Sequence, residues 1–270
     1  MAARFGPEGK FLAGGQSLIP LMKLRIASPQ HIIDLGRVSG LSYIRVDGES
    51  LALGTMTKLA EVASSGLVAK ECPALSQCAA QIADPLVRNM STIGGNITHA
   101  DPSNDIPAVM VATGAELVAT SSRGRRRIPA SDFFVDTFTT ALKEGELLTE
   151  VRIPVGVGKL SAYLKLERQA GDFGIVGVAA VVELGTDGSC TGCGIGLSGV
   201  GPKVLKAKRA EGLLVGQRPD EGALQRASQA AAEDSQPVGD LRGSADYKRQ
   251  MVKVMTLRAL RAAIKGREGA

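Results

Sequence analysis

The stretch Thr92-Ile-Gly-Gly-Asn-Ile-Thr98 does most to decide the fold, together with a similar stretch near the start of the chain, Ala13-Gly-Gly-Gln-Ser-Leu18. Each stretch contains a glycine pair and small side chains that can form hydrogen bonds. Glycine has no Cβ, so a ligand can approach the main-chain amides closely where two glycines stand together. The two stretches therefore predict two loops whose backbone approaches one large anionic ligand.

The first stretch runs into a segment that is suited to a helix. Ser17 precedes the apolar run 18–24, where its hydroxyl would cap the helix, and Pro20 fits the first turn. The free amides and the dipole at the start of such a helix favour an anion. The alternative is that the glycine pair serves only a tight turn or a bulge, and it stays open for each stretch taken alone.

The second stretch carries neutral hydrogen-bonding groups rather than charges. Thr92 and Thr98 supply hydroxyls and Asn96 supplies an amide, groups that suit phosphate, ribose or the edge of a heterocycle. Neither stretch contains a nucleophile with a base beside it. The residues therefore indicate binding and predict no catalytic side chain.

Composition and charge are typical of a globular protein without a nucleic-acid surface. The chain has 270 residues, of which 44% are hydrophobic and 22% charged, enough for one large or two smaller cores. The net charge of +5 raises the question of nucleic acid, but the densest basic run, Arg123-Gly-Arg-Arg-Arg127, lies in a predicted hairpin. Three tyrosines, six phenylalanines and no tryptophan leave little surface for stacking bases. The run is typical of a solvated hairpin, with contact to an acidic partner subunit as the alternative.

Motifs for membranes, metals and dinucleotides are absent or stand in the wrong context. No apolar stretch approaches the roughly twenty residues of a membrane span, so we predict no transmembrane segment and a cytoplasmic location. Cys190-Thr-Gly-Cys193 has the spacing of zinc and thioredoxin motifs, but it lies in a predicted strand, where buried small side chains explain it better. Gly194-Ile-Gly-Leu-Ser-Gly199 matches the dinucleotide fingerprint, yet its glycines fall within that same strand. We therefore predict neither a metal site nor an NAD-binding fold.

Hydrophobic periodicity and turn residues predict an α+β protein, with a two-lobed α/β domain followed by an antiparallel sheet with helices. Asp47-Gly48 predicts a hairpin, and the change in composition at 154–158 predicts a boundary. The predicted domains are 1–55 (first lobe), 56–157 (second lobe) and 158–270 (a sheet covered on one face by helices). The predicted strands are 10–13, 31–34, 42–46, 51–54, 116–120, 147–153, 162–166, 175–184 and 190–197. The predicted helices are 18–24, 59–64, 73–83, 107–113, 204–214, 221–232 and 245–264.

Several segments follow a known family closely. Two of them surround the glycine pairs, Phe11-Leu-Ala-Gly-Gly-Gln-Ser-Leu-Ile-Pro-Leu-Met-Lys-Leu-Arg25 and Val87-Arg-Asn-Met-Ser-Thr-Ile-Gly-Gly-Asn96. The others are 31–35, 100–107, 162–168, 199–202 and 244–249. Together they resemble the FAD-binding medium subunit of molybdenum hydroxylases, the family of the carbon monoxide dehydrogenase medium chain and the xanthine dehydrogenase FAD subunit. The resemblance covers essentially the whole chain and implies that FAD is bound across the two N-terminal lobes.

The resemblance also implies which residues contact the cofactor. The family's first glycine stretch wraps the FAD pyrophosphate, and Leu148 matches an apolar residue packed near the cofactor. The loop Gln169 to Gly174 matches a segment that passes near the flavin ring. The expected FAD contacts are Ala13, Gly14, Gly15, Gln16, Ser17, Leu18, Thr92, Gly95, Asn96, Thr98, Asp105, Leu148 and Lys165.

Two charged residues in this set have structural alternatives. Asp105 matches a carboxylate that contacts the cofactor, but charge compensation at the first turn of a helix would also explain it. Lys165 matches a cation close to the flavin, where positive charge would raise the flavin potential. The alternative for Lys165 is an exposed lysine on a strand.

The implied function is electron transfer within a larger oxidoreductase. In the family a large subunit holds the molybdopterin centre, a small subunit carries two [2Fe-2S] clusters, and this chain passes electrons through FAD to an external acceptor. The alternative is a scaffold or assembly subunit that carries no flavin. Family members usually have an additional strand and helix before the first glycine stretch, whereas this chain reaches Gly14 almost at once. We therefore expect a weakened cofactor lobe.

Overall fold

Mixed helices and strands follow one another along the computed structural model of the chain, which describes residues 5–156 and 159–265. The strands are β1 (Gly9–Leu12), β2 (His31–Asp34), β3 (Ile44–Asp47), β4 (Ser50–Gly54), β5 (Glu116–Ser121), β6 (Gly124–Pro129), β7 (Phe134–Asp136), β8 (Thr139–Thr140), β9 (Leu147–Pro154), β10 (Lys159–Leu166), β11 (Val176–Leu184), β12 (Cys190–Ser198) and β13 (Leu205–Lys206). The α-helices are α1 (Leu18–Lys23), α2 (Leu59–Ser64), α3 (Gly66–Glu71), α4 (Pro73–Ala80), α5 (Pro85–Met90), α6 (Ile93–His99), α7 (Ile106–Thr113), α8 (Ala130–Phe133), α9 (Lys208–Gly212), α10 (Glu221–Asp234) and α11 (Ala245–Lys265). A short 3₁₀ helix spans Gly6–Glu8.

The first unit is a small α/β element around the first glycine stretch. Strands β1 and β2 pair in parallel, and α1 lies in the connection between them. The predicted helix begins at Leu18, but the prediction that the Ser17 hydroxyl caps it is wrong, because Ser17 itself has helical dihedral angles and makes no capping hydrogen bond. A residue at the N-cap needs extended dihedral angles to turn its side chain toward the first amides.

The second unit is a five-stranded antiparallel sheet in the order β3-β4-β9-β5-β6. Leu51, Leu53, Leu117 and Val151 point from the sheet into a core that α2 to α7 cover. The Asp47-Gly48 hairpin is confirmed, and Gly48 has the positive φ that its turn requires. Because β4 pairs with β9, this sheet spans the predicted lobe boundary at residue 55, and the division into lobes stays a proposal.

The second glycine stretch is a helix, so the prediction of a loop there is wrong. The Thr92 hydroxyl accepts a hydrogen bond from the Gly95 amide at 3.1 Å and caps α6. Ile93 and Ile97 bury their side chains on one face of the helix. The cap and this apolar spacing outweigh the low helix propensity of the two glycines.

The third unit is the antiparallel sheet β10-β11-β12-β13, which has helices on both faces rather than on one as predicted. Helices α10 and α11 cover one face, while α4 and α7 of the preceding unit pack on the other. The packing of α7 is close because Gly194 and Gly196 have no side chains: a Cβ on them would lie 1.8 Å from the Ala112 oxygen and 2.0 Å from the Ala108 oxygen, respectively. These glycines therefore serve helix-to-sheet packing, which explains the fingerprint-like sequence without a dinucleotide.

Other boundaries differ from the predictions for local reasons. The helix predicted at 204–214 is instead the short strand β13 followed by the short helix α9, because Leu205 and Lys206 pair with β12. The helix predicted at 73–83 ends at Ala80, and Ala83 takes a positive φ. The α+β class, the hairpins and the two long C-terminal helices are confirmed. Across the described residues, no helix is both long and apolar enough to cross a bilayer.

Candidate functional site

The two glycine stretches lie against each other. A Cβ on Gly14 would stand 2.3 Å from the Met90 carbonyl oxygen and 2.8 Å from the Ser91 Cα, the backbone just before α6. A Cβ on Gly95 would stand 3.8 Å from the Cβ of Ala13. Any side chain at position 14 would therefore push the first unit away from α6, so the sequence brings both predicted stretches into one place.

The first stretch offers a cradle of free backbone amides. Within residues 5–156 and 159–265, the amides of Gly14, Gly15, Gln16 and Ser17 find no acceptor. Gly15 has a φ of +78°, a left-handed conformation of the kind found where successive amides bind an anion. Gln16 and Ser17 are exposed, so a ligand can reach this end of the stretch, while Gly14 is buried. Such an arrangement suits the oxygens of a phosphate or pyrophosphate.

The amides of the second stretch, in contrast, are already occupied. The Ile93 amide donates to the Thr57 carbonyl at 3.0 Å, and the Gly94 amide donates to the Thr55 carbonyl at 2.9 Å. The next two amides donate to the hydroxyl and the carbonyl of Thr92. This stretch can therefore contribute side chains and close approach, but not the free amides that two predicted loops would have supplied.

Asn96 is the residue of the second stretch with an unused polar group. Its Oδ1 is buried and has no hydrogen-bond partner among the described residues. A buried acceptor without a donor costs free energy, and a ligand donor would remove that cost. The Asn96 carbonyl accepts a hydrogen bond from Asn104 Nδ2 at 2.8 Å, which fixes the backbone at this position. The Thr98 hydroxyl donates to the Gly94 carbonyl at 2.8 Å, so only its lone pairs remain for a ligand.

Asp105 lies at the N-terminus of α7 in a buried cluster. Its Oδ1 accepts a hydrogen bond from the Tyr163 hydroxyl at 2.5 Å, and its Oδ2 lies 3.3 Å from Lys165 Nζ. Burial raises the pKa of Asp105, while the Lys165 charge and the Tyr163 hydrogen bond oppose that rise. Asp105 does not cap the helix, because its side chain makes no hydrogen bond to a first-turn amide. Its carboxylate is engaged with β10 of the third unit.

Tyr163 was not predicted as part of the site. It is fully buried, and burial, followed by the Asp105 charge, raises its pKa well above the usual value for a tyrosine. Because side chains alternate along a strand, Tyr163 lies on the same face of β10 as Lys165, and this alternation could have predicted Tyr163 as part of the site. The partner across the interface, Asp105, is distant in sequence, and periodicity does not reveal such a contact.

Lys165 and Leu148 are both buried. The Lys165 side chain is 1% exposed, so the alternative of an exposed strand lysine is wrong. Leu148 is 2% exposed, and its carbonyl accepts a hydrogen bond from the Thr55 hydroxyl at 2.8 Å. Thr55 also accepts the Gly94 amide. Thr55 therefore links the Leu148 backbone to the second glycine stretch through two hydrogen bonds, while the Leu148 side chain lies in the core.

Two concave surfaces lie outside the glycine stretches. A groove of about 490 Å³ runs between the loop after β10 and the segment before α11, and it is lined by Arg168, Gln169, Asp172, Asp240, Leu241 and Arg242. A second cavity, of about 410 Å³, lies on the outer face of the five-stranded sheet and is lined mainly by arginines. The basic run at 123–127 forms the predicted hairpin, and Arg126 pairs with Glu146 at 2.7 Å. Within the part of the chain that the structure describes, the four cysteines form no disulfide bond.

Comparison with known proteins identifies relatives over the full length. The family model described as the FAD binding domain in molybdopterin dehydrogenase matches residues 1–156, and the one described as the CO dehydrogenase flavoprotein C-terminal domain matches residues 161–263. The carbon monoxide dehydrogenase medium chain of Hydrogenophaga pseudoflava is 40% identical over 264 residues, covering 97% of this chain and 92% of the relative. The 6-hydroxypseudooxynicotine dehydrogenase complex subunit alpha of Paenarthrobacter nicotinovorans is 35% identical over 260 residues, covering 96% and 88%. A chain in the solved structure of a Hydrogenophaga pseudoflava carbon monoxide dehydrogenase that lacks the Mo-pyranopterin moiety matches with a TM-score of 0.94 and 42% identity, covering 97% and 92%.

Proposed function

The chain belongs to the family of FAD-binding medium subunits of molybdenum hydroxylases, and from that membership we propose that it is the electron-transfer subunit of such a complex. FAD is the cofactor that the family indicates. When bound, FAD supplies a group that accepts electrons one at a time from iron–sulfur clusters and delivers one or two to an acceptor. The proposed route leads from the clusters of a small partner subunit through this chain to an external acceptor.

One observation carries the proposal most directly: the stretch with the free amides of Gly14 to Ser17 packs against the backbone just before α6, the helix that carries the unpartnered Oδ1 of Asn96. The amides suit the pyrophosphate, which carries negative charge and needs donors. The Asn96 oxygen needs a donor, which a ribose hydroxyl or a ring N–H of FAD supplies. The residues therefore fit FAD on both its charged and its neutral parts.

We assign the remaining roles by position. The residues proposed to form the FAD site, by contact or by positioning a contact, are Ala13, Gly14, Gly15, Gln16, Ser17, Leu18, Thr92, Gly95, Asn96, Thr98, Asp105, Leu148 and Lys165. Among them we assign Thr92 the role of capping α6. Asp105, Leu148 and Lys165 are buried, and their proposed role is to hold the site in position from within the fold. No residue of this chain is proposed as catalytic, because substrate oxidation belongs to the molybdopterin subunit. The partners are that large subunit and a small subunit with two [2Fe-2S] clusters, in a cytoplasmic complex.

The alternative is a flavin-free scaffold of the same complex. A scaffold needs the surfaces that contact the partners, but it has no need for a run of unpaired amides or for a buried acceptor without a donor. Both features are present here, which favours the flavoprotein over the scaffold.

FAD titration of the purified chain tests the proposal. We expect stoichiometric binding, with a visible flavin spectrum and with FAD rather than FMN in the denatured supernatant. Asn96→Ala should weaken binding roughly fivefold, the effect of one lost hydrogen bond to a buried group. Asn89→Ala, an exposed asparagine on α5, is the matched control and should bind FAD like the wild type.

FAD titration together with subunit assembly can contradict the proposal. A chain that binds no FAD at saturating concentrations, yet assembles with the large and small subunits, is a scaffold. Equal affinity of both asparagine variants would instead remove Asn96 from the site while leaving FAD binding in place.

A further inference from the structure

Lys165 is an unusually well-partnered buried cation. Its Nζ donates to the Gln81 carbonyl at 2.9 Å and to the Asp172 carbonyl at 2.9 Å. The same nitrogen lies 2.9 Å from Glu167 Oε2 and 3.3 Å from Asp105 Oδ2. With its side chain 1% exposed, the ammonium has no water-facing direction, and all of its donors are taken by this chain.

These partners come from separate parts of the fold. Gln81 follows α4 and Asp105 begins α7, both in the segment that matches the FAD-binding family. Glu167 and Asp172 follow β10, in the segment that matches the C-terminal family. One ammonium group therefore joins the two matched family segments.

The charges around Lys165 leave little positive field to act on a flavin. Two carboxylates face one ammonium, so the cluster is neutral if Asp105 is protonated and negative if it is ionised. The Tyr163 hydroxyl adds a further hydrogen bond to Asp105. A cation raises the potential of a nearby group through its uncompensated charge, and here that charge is compensated within 3.3 Å.

The loop 168–174 depends on this cation for its position. A Cβ on Gly171, whose φ is +88°, would lie 2.9 Å from the Ala83 carbonyl oxygen, so the loop rests directly on the turn after α4. A Cβ on Gly174 would lie 3.2 Å from Lys165 Cγ. Because Lys165 bonds both the loop and the turn beneath it, the ammonium clamps one onto the other.

The same cluster is connected to the second glycine stretch. Asp105 follows Asn104, whose Nδ2 donates to the Asn96 carbonyl at 2.8 Å. The loop 168–174 also forms one wall of the groove of about 490 Å³. The position of that wall and the position of Asn96 are thus both tied to the atoms around Lys165.

We propose that Lys165 is a positioning residue that clamps the loop 168–174 of the C-terminal segment onto the turn at 81–84, and that it does not act as a positive charge on the flavin. The clamp itself is a property of the fold. Its consequence for the flavin rests on the function proposed above.

Hydrogen–deuterium exchange tests the clamp without any cofactor. In Lys165→Met the amides of 168–174 should exchange about tenfold faster than in the wild type, because the bonds that hold the loop are lost. Lys248→Met is the matched control: Lys248 is also buried and holds a different loop through the Val238 carbonyl at 3.0 Å and Asp240 Oδ2 at 2.8 Å. It should speed exchange at 238–243 far more than at 168–174, which the segment touches through Arg242 over the Phe173 ring.

Two FAD-loaded variants separate position from charge. Gly171→Ala lifts the loop off the Ala83 carbonyl and leaves the Lys165 charge intact. In the assay, an artificial dye reoxidises the photoreduced flavin. We expect the dye concentration that gives half of the limiting rate to rise about threefold in each of the variants Lys165→Met and Gly171→Ala. The flavin midpoint potential should match the wild type in both variants.

A second variant keeps the test valid if Lys165→Met folds poorly. Lys165→Met/Glu167→Gln removes one positive and one negative charge together, so the net charge of the cluster is the same as before. Its loop should still exchange faster.

Three outcomes overturn the proposal. Unchanged exchange at 168–174 in a folded Lys165 variant shows that there is no clamp. A lowered flavin potential in Lys165→Met but not in Gly171→Ala shows that the charge acts on the flavin. Dye kinetics that change in only one of the two variants show that loop position is not the common cause. If the wild type binds no FAD, the proposed function fails, while the exchange measurement still decides the clamp.

Discussion

Gly194→Ala should destabilise the chain strongly, because the new methyl group would collide with backbone. Its Cβ would stand 1.8 Å from the Ala112 carbonyl oxygen and 2.8 Å from the Ala112 carbonyl carbon. In a favourable C–H···O contact the carbon and the carbonyl oxygen lie about 3.3–3.6 Å apart. Strand β12 and helix α7 must therefore separate by roughly 1.5 Å, or the local backbone must distort.

Neither partner can yield cheaply. Residues 106–112 of α7 are all buried, so the helix has core on every side. The strand β12 is paired on both edges, with β11 and with β13. Overpacking of a filled core costs typically 1–3 kcal/mol, and a contact with rigid backbone belongs at the upper end, about 3 kcal/mol. For a chain of this size that free energy lowers the midpoint of thermal unfolding by roughly 6 to 12 °C.

Gly192→Ala is the matched control on the same strand. The nearest atoms to its new Cβ belong to the end of the Glu183 side chain, at 2.9 Å for Oε2, and a flexible carboxylate can rotate away. The change should therefore cost less than about 0.5 kcal/mol, or about 2 °C. Thermal unfolding followed by far-ultraviolet circular dichroism at one protein concentration compares both variants with the wild type.

The two alanine variants should not have the same midpoint of thermal unfolding. Equal midpoints would mean that α7 does not approach β12 as closely as the structure indicates, and the packing explanation of the fingerprint-like sequence would fail with it. A large loss confined to Gly194→Ala supports the close approach, and it requires no ligand.

Three further changes have definite expected results. Gly14→Ala should weaken FAD binding by roughly 5-fold to 150-fold, the equivalent of about 1–3 kcal/mol of overpacking against the facing backbone. Gly66→Ala is the control in the same titration and should bind FAD normally, because its added Cβ has nothing within 4 Å. Thr92→Val removes the cap of α6 and should cost about 1 kcal/mol in thermal unfolding; no loss would show that the cap hydrogen bond is not stabilising. Hydrogen bonds from Arg126 hold the pKa of Glu146 at about 2, below the usual 4.5, so Glu146→Gln should destabilise the chain above pH 4.5 and lose that effect as the pH falls toward 2. A pH-independent difference in unfolding would contradict this assignment.

Local sequence signals were sufficient where the cause of a structure is itself local. Asp47-Gly48 predicts its hairpin because a tight turn needs a positive φ, and Gly48 has one. The helix α11 was predicted because its apolar spacing continues for 21 residues. In both cases the residues that determine the element lie within it.

The second glycine stretch shows where local signals fail. Two adjacent glycines lower helix propensity by about 1 kcal/mol each relative to alanine, which argues for a loop. The helix forms because the Thr92 cap and the buried Ile93 and Ile97 outweigh that cost, and glycine is needed at 94 because a Cβ there would stand 2.4 Å from the Thr55 Cβ. That neighbour is distant in sequence, so the reason for glycine here is tertiary packing, and the stretch itself does not reveal it.

The buried cluster around Lys165 could be predicted only in part. Alternation along β10 places Tyr163 and Lys165 on one face, and the resemblance marks Asp105. It does not show that Lys165 donates to two carbonyls and to the Asp105 carboxylate of its own chain, with the Glu167 carboxylate 2.9 Å away. The resemblance identifies Lys165 as a flavin contact. In the structure, its hydrogen bonds to Gln81 and Asp172 link the two matched family segments.

Glycine therefore has two separable uses in this chain, and the hydrogen-bonding state of the neighbouring amides distinguishes them. At positions 94 and 194 the glycines permit close packing, and they lie in a helix and a strand whose backbone groups are paired within the fold. At 14–17 the glycine pair also permits close packing, but the amides there have no partner among the described residues. Unpaired donors are what an anion requires and what packing alone does not explain. Of the three glycine-rich stretches, the first is therefore the one whose backbone amides indicate a ligand, and the glycine pattern by itself does not separate it from the other two.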